Sequence, residues 1–353
     1  MSTTSRPSTD AGVAAPMRVR RLSVGDPAWQ RFVDEHPDAL AYHQPAWAAM
    51  VGRVYRLDAF CLVLVDQHDR IRGGIPVIAT GRRRRRWSSL PFTDVCPPLA
   101  AADTPPGVLL DALEDARRTA GISRFAIRDA LARGQQYPEG VTHALALTDH
   151  DTLWAGLHSS QVRRSIRRAD RDGVRVRVAT RLEDMRTYFG LHVSTRRRLG
   201  VPSQPGRFFD AVWLELIAPG HGELLLAERD GAAIAGMVLL YGSHTVTYKY
   251  GASLAEAWQH RPNHALFWHA IRDASDRGYR TFDFGRSDTT DAGLRSFKAS
   301  WGAVEAPLAY TLFADVPATR GASATPGVAR AVIRRSPDIV CRAAGEILYR
   351  FTA

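Results

Sequence analysis

Two α+β halves of similar layout follow one another along this 353-residue chain, and that likeness constrains the fold more than any single motif. Short apolar runs read as strands, while segments with a 3.6-residue apolar period, opened by Pro or closed by Gly, read as helices. In the first half the pattern predicts a strand over 18–22, helices over 26–35 and 45–54, and a buried strand over 59–65. A turn at Asp66-Gln67-His68-Asp69 leads to a partner strand over 71–80, then a helix over 105–120 stopped at Gly121, and strands over 123–128 and 142–147. In the second half it predicts helices over 151–157 and 160–171, a strand over 174–178, and helices over 181–199 and 206–217. Strands over 222–228, 233–241 and 245–250 follow, then a helix over 262–277 and strands over 281–284 and 304–313. This is an α/β (α+β) layout in two halves, expected at 17–150 and 151–315, behind a polar tail over 1–16 expected to be disordered. Residues 316–353 read as a linker and apolar-basic helices divided by Pro337, expected to pack on the N-terminal half. Membrane docking through Arg330, Arg334, Arg335 and Arg342 is the other reading.

An apolar content of 45% is ample for real cores, so the charge must be explained as surface. The formal charge of +11 favours acidic partners such as phosphates, nucleic acid or an anionic membrane, unless it reflects only an arginine-rich surface. Three widely spaced cysteines, Cys61, Cys96 and Cys341, make neither a disulfide framework nor a zinc signature, so a reducing cytoplasm is expected. The first residues carry no apolar secretion segment, and no run reaches the ~20 apolar residues of a membrane span. A cytoplasmic location is expected, at most peripheral to the inner face of the membrane.

Residues 281–302, TFDFGRSDTTDAGLRSFKASWG, say most about chemistry. A strand-like run ends on Gly285-Arg286-Ser287, a polar loop follows, and then come Phe297-Lys298 and Trp301-Gly302. Lys298 and Lys249 are the two lysines of the chain; the other 45 of its 47 basic residues are arginine. A lysine kept in such a background suits a compact charge whose pKa shifts on burial. The pattern FDFGRS…FK..WG resembles the Fem-like transferases, especially those associated with exosortase systems, within the broader GNAT-type acyltransferase superfamily. The resemblance extends through the Arg-rich segment 159–171, STRRRLGVP (194–202) with Phe208-Phe209, YKYGAS (248–253) and SLPFTDVCPPL (89–99), and covers 17–350. It implies two tandem GNAT-like domains, each a mixed, mostly antiparallel sheet flanked by helices.

Amide-forming acyl transfer needs a neutral amine, a stabilised oxyanion and a protonated leaving group. No GxSxG and no Ser-His-Asp or Cys-His spacing is present, so direct attack is expected, without a covalent enzyme intermediate. Lys298 is the candidate for charge stabilisation, and is expected to support turnover rather than folding. Asp283 reads either as a base or as a structural partner of an arginine. Arg286 is a candidate for binding phosphate or carboxylate. Tyr248 and Tyr250 alternate with Lys249 on a strand, which predicts both tyrosines on one face. Arg163, Arg167 and Arg171 recur at helical spacing and read either as a polyphosphate or nucleic-acid surface or as a solvated face. Arg198, Phe297 and Trp301 complete the candidate substrate-binding set. The run Arg82–Arg86 is either a basic binding loop or an unspecialised one. His260 and His264 lack a third ligand, so no metal is expected, and no cofactor either.

Acetyl-CoA-using GNAT proteins hold the pyrophosphate on a glycine-rich loop at a helix start. Here the equivalent Gln259-His260-Arg261-Pro262-Asn263-His264-Ala265 has no glycine. That departure weighs against tight CoA binding, unless Arg261-Pro262-Asn263 simply starts a helix with Pro near its first position. The resemblance implies an aminoacyl-tRNA donor, with an aminoacyl or acyl group moved onto a primary amine of an anionic acceptor such as a peptidoglycan precursor or specialised metabolite. An acyl-CoA-dependent N-acyltransferase is the second reading. A non-catalytic basic protein of cell-envelope assembly is the third.

Overall fold

In the computed structural model the described residues are 17–81, 85–315, 331 and 333–348. The expected tail over 1–16, Arg82 to Arg84 and the linker over 316–330 lie outside them. Thirteen strands are described: β1 (Arg18–Ser23), β2 (Asp58–Val65), β3 (Ile71–Thr80), β4 (Arg86–Ser88), β5 (Leu99–Ala100), β6 (Arg124–Ile127) and β7 (Gln135–Ala146) in the first half. The second half supplies β8 (Arg175–Val178), β9 (Gly222–Arg229), β10 (Ala232–Tyr241), β11 (Thr245–Ser253), β12 (Thr281–Ser287) and β13 (Val304–Ala314). They form one sheet in the order β1-β2-β3-β4-β6-β13-β7-β12-β11-β10-β9-β8, with β5 on β3.

That order revises the boundary expected at 150. β13, late in the sequence, lies between β6 and β7 of the first half, while β7 pairs with β12. The halves are therefore interleaved at their junction, a long-range pairing that local periodicity cannot report.

The helices are α1 (Pro27–Glu35), α2 (Pro45–Tyr55), α3 (Pro106–Thr119), α4 (His150–Gly156), α5 (Arg164–Arg171), α6 (Leu182–Leu199), α7 (Gly206–Val212), α8 (Pro262–Asp276), α9 (Ala292–Ala299) and α10 (Asp338–Leu348). Four of them open on proline, whose fixed φ and missing N–H cost nothing at a first helical position. The polar stretch over 288–300 is partly helical: Asp291 caps α9 by accepting from the Leu294 N–H at 2.9 Å.

The central strands are buried on both faces, which explains their unbroken apolar runs. Leu224, Leu226, Val238 and Leu240 pack under α2, α6 and α7. Leu225, Ala227, Met237 and Leu239 pack under α8 on the other face. The first of these cores is shared between the halves, since Trp47 and Tyr55 of α2 meet Phe208 of α7 at ring distances of 6.4 and 6.0 Å. The C-terminal helices do not pack on the first half as expected. Cys341 and Ile333 pack on Val193 of α6, Arg342 lies 5.1 Å over Phe189, and Asp338 pairs with Arg197 at 3.1 Å. The apolar face of α10 thus finds its partner in the second half.

A shared core predicts one unfolding transition. Phe208, fully buried between the halves, is expected to cost about 3–5 kcal/mol when changed to Ala. Calorimetry and fluorescence should then report one transition shifted as a whole; a transition that stays in place would mean the halves unfold separately.

Candidate active site

The pairing of β11 with β12 is parallel and covers only Thr245–Thr247 against Thr281–Asp283. Beyond it the strands diverge. On β11 the register shifts, with Val238 opposite Tyr250 and Leu239 opposite Tyr248, so Lys249 is the extra residue of a bulge. On β12 the chain turns at Gly285, φ +69°, and the ladder with β7 is interrupted between Asp283 and Arg286. On the β11 side of this divergence lies a cavity of about 280 Å³, walled by β10, β11, α6, α8 and α9. On α9, Leu294, Phe297 and Lys298 stand at i, i+3 and i+4 and all line it.

Lys298 is 2% exposed, and its Nζ donates to the carbonyls of Gly285 at 2.7 Å and Arg286 at 3.0 Å. Burial lowers its pKa to about 8, opposed by the charges of Asp283 and Asp94. It therefore also has a structural role: removing it would strip two carbonyls of their donor, contrary to the expectation that folding is indifferent to it. Among the described residues Asp283 is paired with no arginine. Its Oδ1 accepts from the Gly285 N–H at 2.8 Å, and desolvation pushes its pKa up to about 6. It does not line the cavity.

Two further charged residues, outside the candidate set, belong to this region. The Lys249 side chain is 5% exposed and lies 4.0 Å from Asp94, over the rings of Tyr42, Trp47 and Tyr250. Burial lowers its pKa, again opposed by Asp94. Asp94 comes from a first-half loop in which Leu90 and Phe92 both have positive φ, 69° and 66°. Such backbone is costly for bulky residues and persists only where the surroundings enforce it. Ser89 Oγ donates to the Cys96 carbonyl, Thr93 Oγ1 to the Leu90 carbonyl, and Tyr310 OH to the Asp94 carbonyl. An added Cβ at Gly285 would stand 3.2 Å from Asp94 Oδ2, so glycine there serves both the turn and the close approach. The rarity of lysine already marked Lys249; only the three-dimensional loop marks Asp94.

The remaining candidates divide. Phe297 and Tyr248 line the cavity, and Tyr248 packs across Gly251, where any Cβ would collide with its hydroxyl. Tyr250 is not on the same face as Tyr248: the bulge at Lys249 breaks the alternation and packs Tyr250 against Phe208 and Phe209. Trp301 is 1% exposed, among Phe267, Phe284 and Phe297. It supports the site from beneath rather than binding substrate. Arg286 is exposed and pairs with Glu139 at 3.7 Å. Arg198, at the cavity mouth, donates to the Ser253 carbonyl at 3.1 Å. Ser159–Arg163 forms a π-helical turn before α5, and the surface depression beside it is lined by Ser159, Ser160, Arg164, Arg167 and Arg171. Arg167 belongs to this basic stripe, whereas half-buried Arg163 is not one of its walls. At the start of α8, Arg261 is left-handed at φ 57°, and His260 is tied to Asp172 at 2.8 Å and Arg229 at 2.8 Å. Among the described residues no group of three or more His, Cys, Asp or Glu side chains is placed to hold a metal ion.

Residues 158–298 match the family model described as an acetyltransferase (GNAT) domain. Over 86 residues the chain is 31% identical to a lipid II:glycine glycyltransferase of Staphylococcus epidermidis, covering 23% of this chain and 21% of that one. Over 79 residues it is 32% identical to the Staphylococcus aureus protein of the same name, covering 21% and 19%. The matched stretch thus spans about a fifth of the length of these relatives. In structure it is similar to FemX, with TM-score 0.66 at 16% identity over 82% of this chain and 96% of that one. It is also similar to the C-terminal domain of a putative lysylphosphatidylglycerol synthetase from Agrobacterium fabrum, with TM-score 0.55 at 16% identity over 81% and 90%. The resemblance to Fem-like proteins of the GNAT superfamily is borne out, and so is the mixed fold it implied, a large, mostly antiparallel sheet flanked by helices.

The raised pKa of Asp283 has a consequence for stability. The folded state takes up a proton that the unfolded chain releases near pH 4, so this carboxyl contributes least favourably once ionised. Stability is expected to fall as pH rises from about 4 through about 6. Asp283→Asn should remove about 1–2 kcal/mol of that slope. Urea denaturation across this range checks it, and an unchanged slope would mean that Asp283 is not desolvated.

Proposed function

We propose that the chain is an acyltransferase that forms an amide by moving an aminoacyl group from an aminoacyl-tRNA onto a primary amine of an anionic acceptor such as a cell-wall precursor. The observation that carries this reading is the buried ammonium of Lys298 at the cavity floor. An ammonium has three N–H donors, and two are committed to the carbonyls of Gly285 and Arg286. The third is left for the cavity, held in place before any substrate arrives. The acceptor amine attacks the ester carbonyl carbon, and the carbonyl oxygen takes up the electron pair against Lys298. Collapse breaks the bond to the ribose oxygen, which receives the proton lost by the amine. Asp283 and Asp94 act through Lys298, their charges keeping it protonated near neutrality.

The acceptor class is supported by the relatives named for glycyl transfer with lipid II. The basic depression of Arg164, Arg167 and Arg171 offers a place for a polyanionic donor or acceptor. An acyl-CoA donor is the second reading, favoured by the GNAT family match. Against it stands the start of α8, where Pro262 removes a donor and no glycine permits close approach to a diphosphate. A cytoplasmic protein, peripheral to the membrane at most, fits this function; no helix among the described residues is long and apolar enough to cross a membrane.

The rate of transfer is expected to fall above about pH 8, as Lys298 loses its proton. Lys298→Met should lower turnover by about 10²–10³ and abolish that limb. Lys298→Arg, which keeps the charge, should move the limb to higher pH. Melting curves of both variants separate lost chemistry from lost structure, and a folded, fully active Met variant would remove Lys298 from the site.

The donor is settled by transfer assays with charged tRNA and with acyl-CoA, alongside calorimetry with CoA. Two missing charge-assisted hydrogen bonds weaken diphosphate binding by about 10² or more. A one-to-one complex with CoA at micromolar affinity would move the protein to the CoA-dependent reading.

A further inference from the structure

We propose that Trp258, with Arg198 and Asn263, forms an adenine-recognition platform at the mouth of the Lys298 cavity, selecting a donor that carries its acyl group on an adenosine-containing carrier. The inference rests on the donor reading above and names the part of the donor that this chain grips.

Trp258 is 47% exposed, unusual for the largest apolar side chain, yet it is not loose. Its Nε1 donates to Ser253 Oγ at 3.0 Å, and the Arg198 guanidinium lies 4.6 Å from its ring centroid. Arg198 is itself anchored on the Ser253 carbonyl, which also accepts from Thr195 Oγ1 at 3.2 Å. The end of β11 therefore fixes a stacked cation and indole whose ring stays accessible. A pinned aromatic face beside a guanidinium is the arrangement on which nucleobases stack.

The same cavity supplies the other parts of the ligand's recognition. Asn263, half-buried on its wall, has no side-chain hydrogen bond among the described residues. A free carboxamide pairs bidentately with the N6/N7 edge of adenine and with no other base in that way. Lys298 lies on the same cavity, so a base held at the rim directs the attached acyl ester inward. Both an aminoacylated CCA end and an acyl-CoA contain adenosine, and the test distinguishes them.

Binding of a labelled RNA tetranucleotide ending ACCA is followed by fluorescence anisotropy, with CoA and an ACCU tetranucleotide as competitors. ACCA is expected to bind and to be displaced poorly by ACCU; displacement by CoA at comparable concentration would support the platform but assign it to a CoA donor. Trp258→Ala should weaken binding at least about tenfold, and Trp258→Phe should retain most of it. Asn263→Ala should erase the preference for ACCA over ACCU. Melting curves check that these variants fold as the native chain does. Transfer from charged tRNA with Trp258→Ala binding ACCA as well as the native chain would overturn the platform and leave the proposed function standing. Failure of the native chain to bind either adenosine ligand, with no transfer from charged tRNA, would overturn both.

Discussion

The rest of the site depends on a parallel contact that lasts only three residues, Thr245–Thr247 against Thr281–Asp283. Beyond it β11 and β12 part, and Lys298, which lines the neighbouring cavity, reaches the carbonyls of β12. Two local devices end the contact, the bulge at Lys249 and the left-handed turn at Gly285. Interrupting a ladder leaves backbone groups in want of partners. At the carbonyls of Gly285 and Arg286 the partner is the Lys298 ammonium. The side chain proposed for catalysis is thus also what makes the splayed strand tolerable, and its position is as fixed as the backbone it binds.

The charges around that splay explain why lysine survives here in a chain otherwise committed to arginine. Lys249 and Lys298 occupy desolvated spaces beside Asp94 and Asp283, where a compact point charge shifts its pKa on burial as the always-charged guanidinium does not. Desolvation pulls the two kinds of group toward each other, Lys298 down to about 8 and Asp283 up to about 6. Between those values Lys298 and Asp283 both remain largely ionised, so this pair is neutral in sum and polarised in detail. That balance keeps the ammonium charged at neutral pH without a direct carboxylate partner that would quench its remaining donor.

Much of the architecture was legible because strands and helices advertise their period. The runs over 59–65, 222–228 and 233–241 and the long helices fall within a few residues of their expected bounds. What periodicity misses are single-residue insertions and long-range pairings. One bulged residue sends Tyr248 and Tyr250 to opposite faces, although their spacing in sequence is two. The eight-residue helix α9 hid in a polar stretch, its signal being the Asp291 cap alone. The place of β13 between β6 and β7 and the seat of α10 on α6 follow from tertiary packing, which no local pattern encodes. Lys298 was found from composition and motif; Asp94 was not, since one aspartate in SLPFTDVCPPL looks like any loop acid.

That loop also explains why the chain needs its first half. The matched GNAT segment contains Lys298, Asp283 and Lys249 but not Asp94, Tyr42 or Arg128. Leu90 and Phe92 hold strained backbone because bonds from several directions leave the loop no alternative. Ser89 Oγ accepts from the Arg128 N–H at 2.8 Å, Arg128 Nη1 donates to the Thr93 carbonyl at 3.0 Å, and Tyr310 of β13 grips the Asp94 carbonyl at 2.9 Å. Tyr310 reaches the loop only because β13 is threaded between first-half strands. The interleaving of the sheet therefore has a chemical consequence: it locks a first-half carboxylate against Gly285 and Lys249 at the point where the second-half strands part. Without that loop the Lys298 ammonium would lose one of the three negative charges, Asp283, Asp94 and Asp291, that hold it protonated.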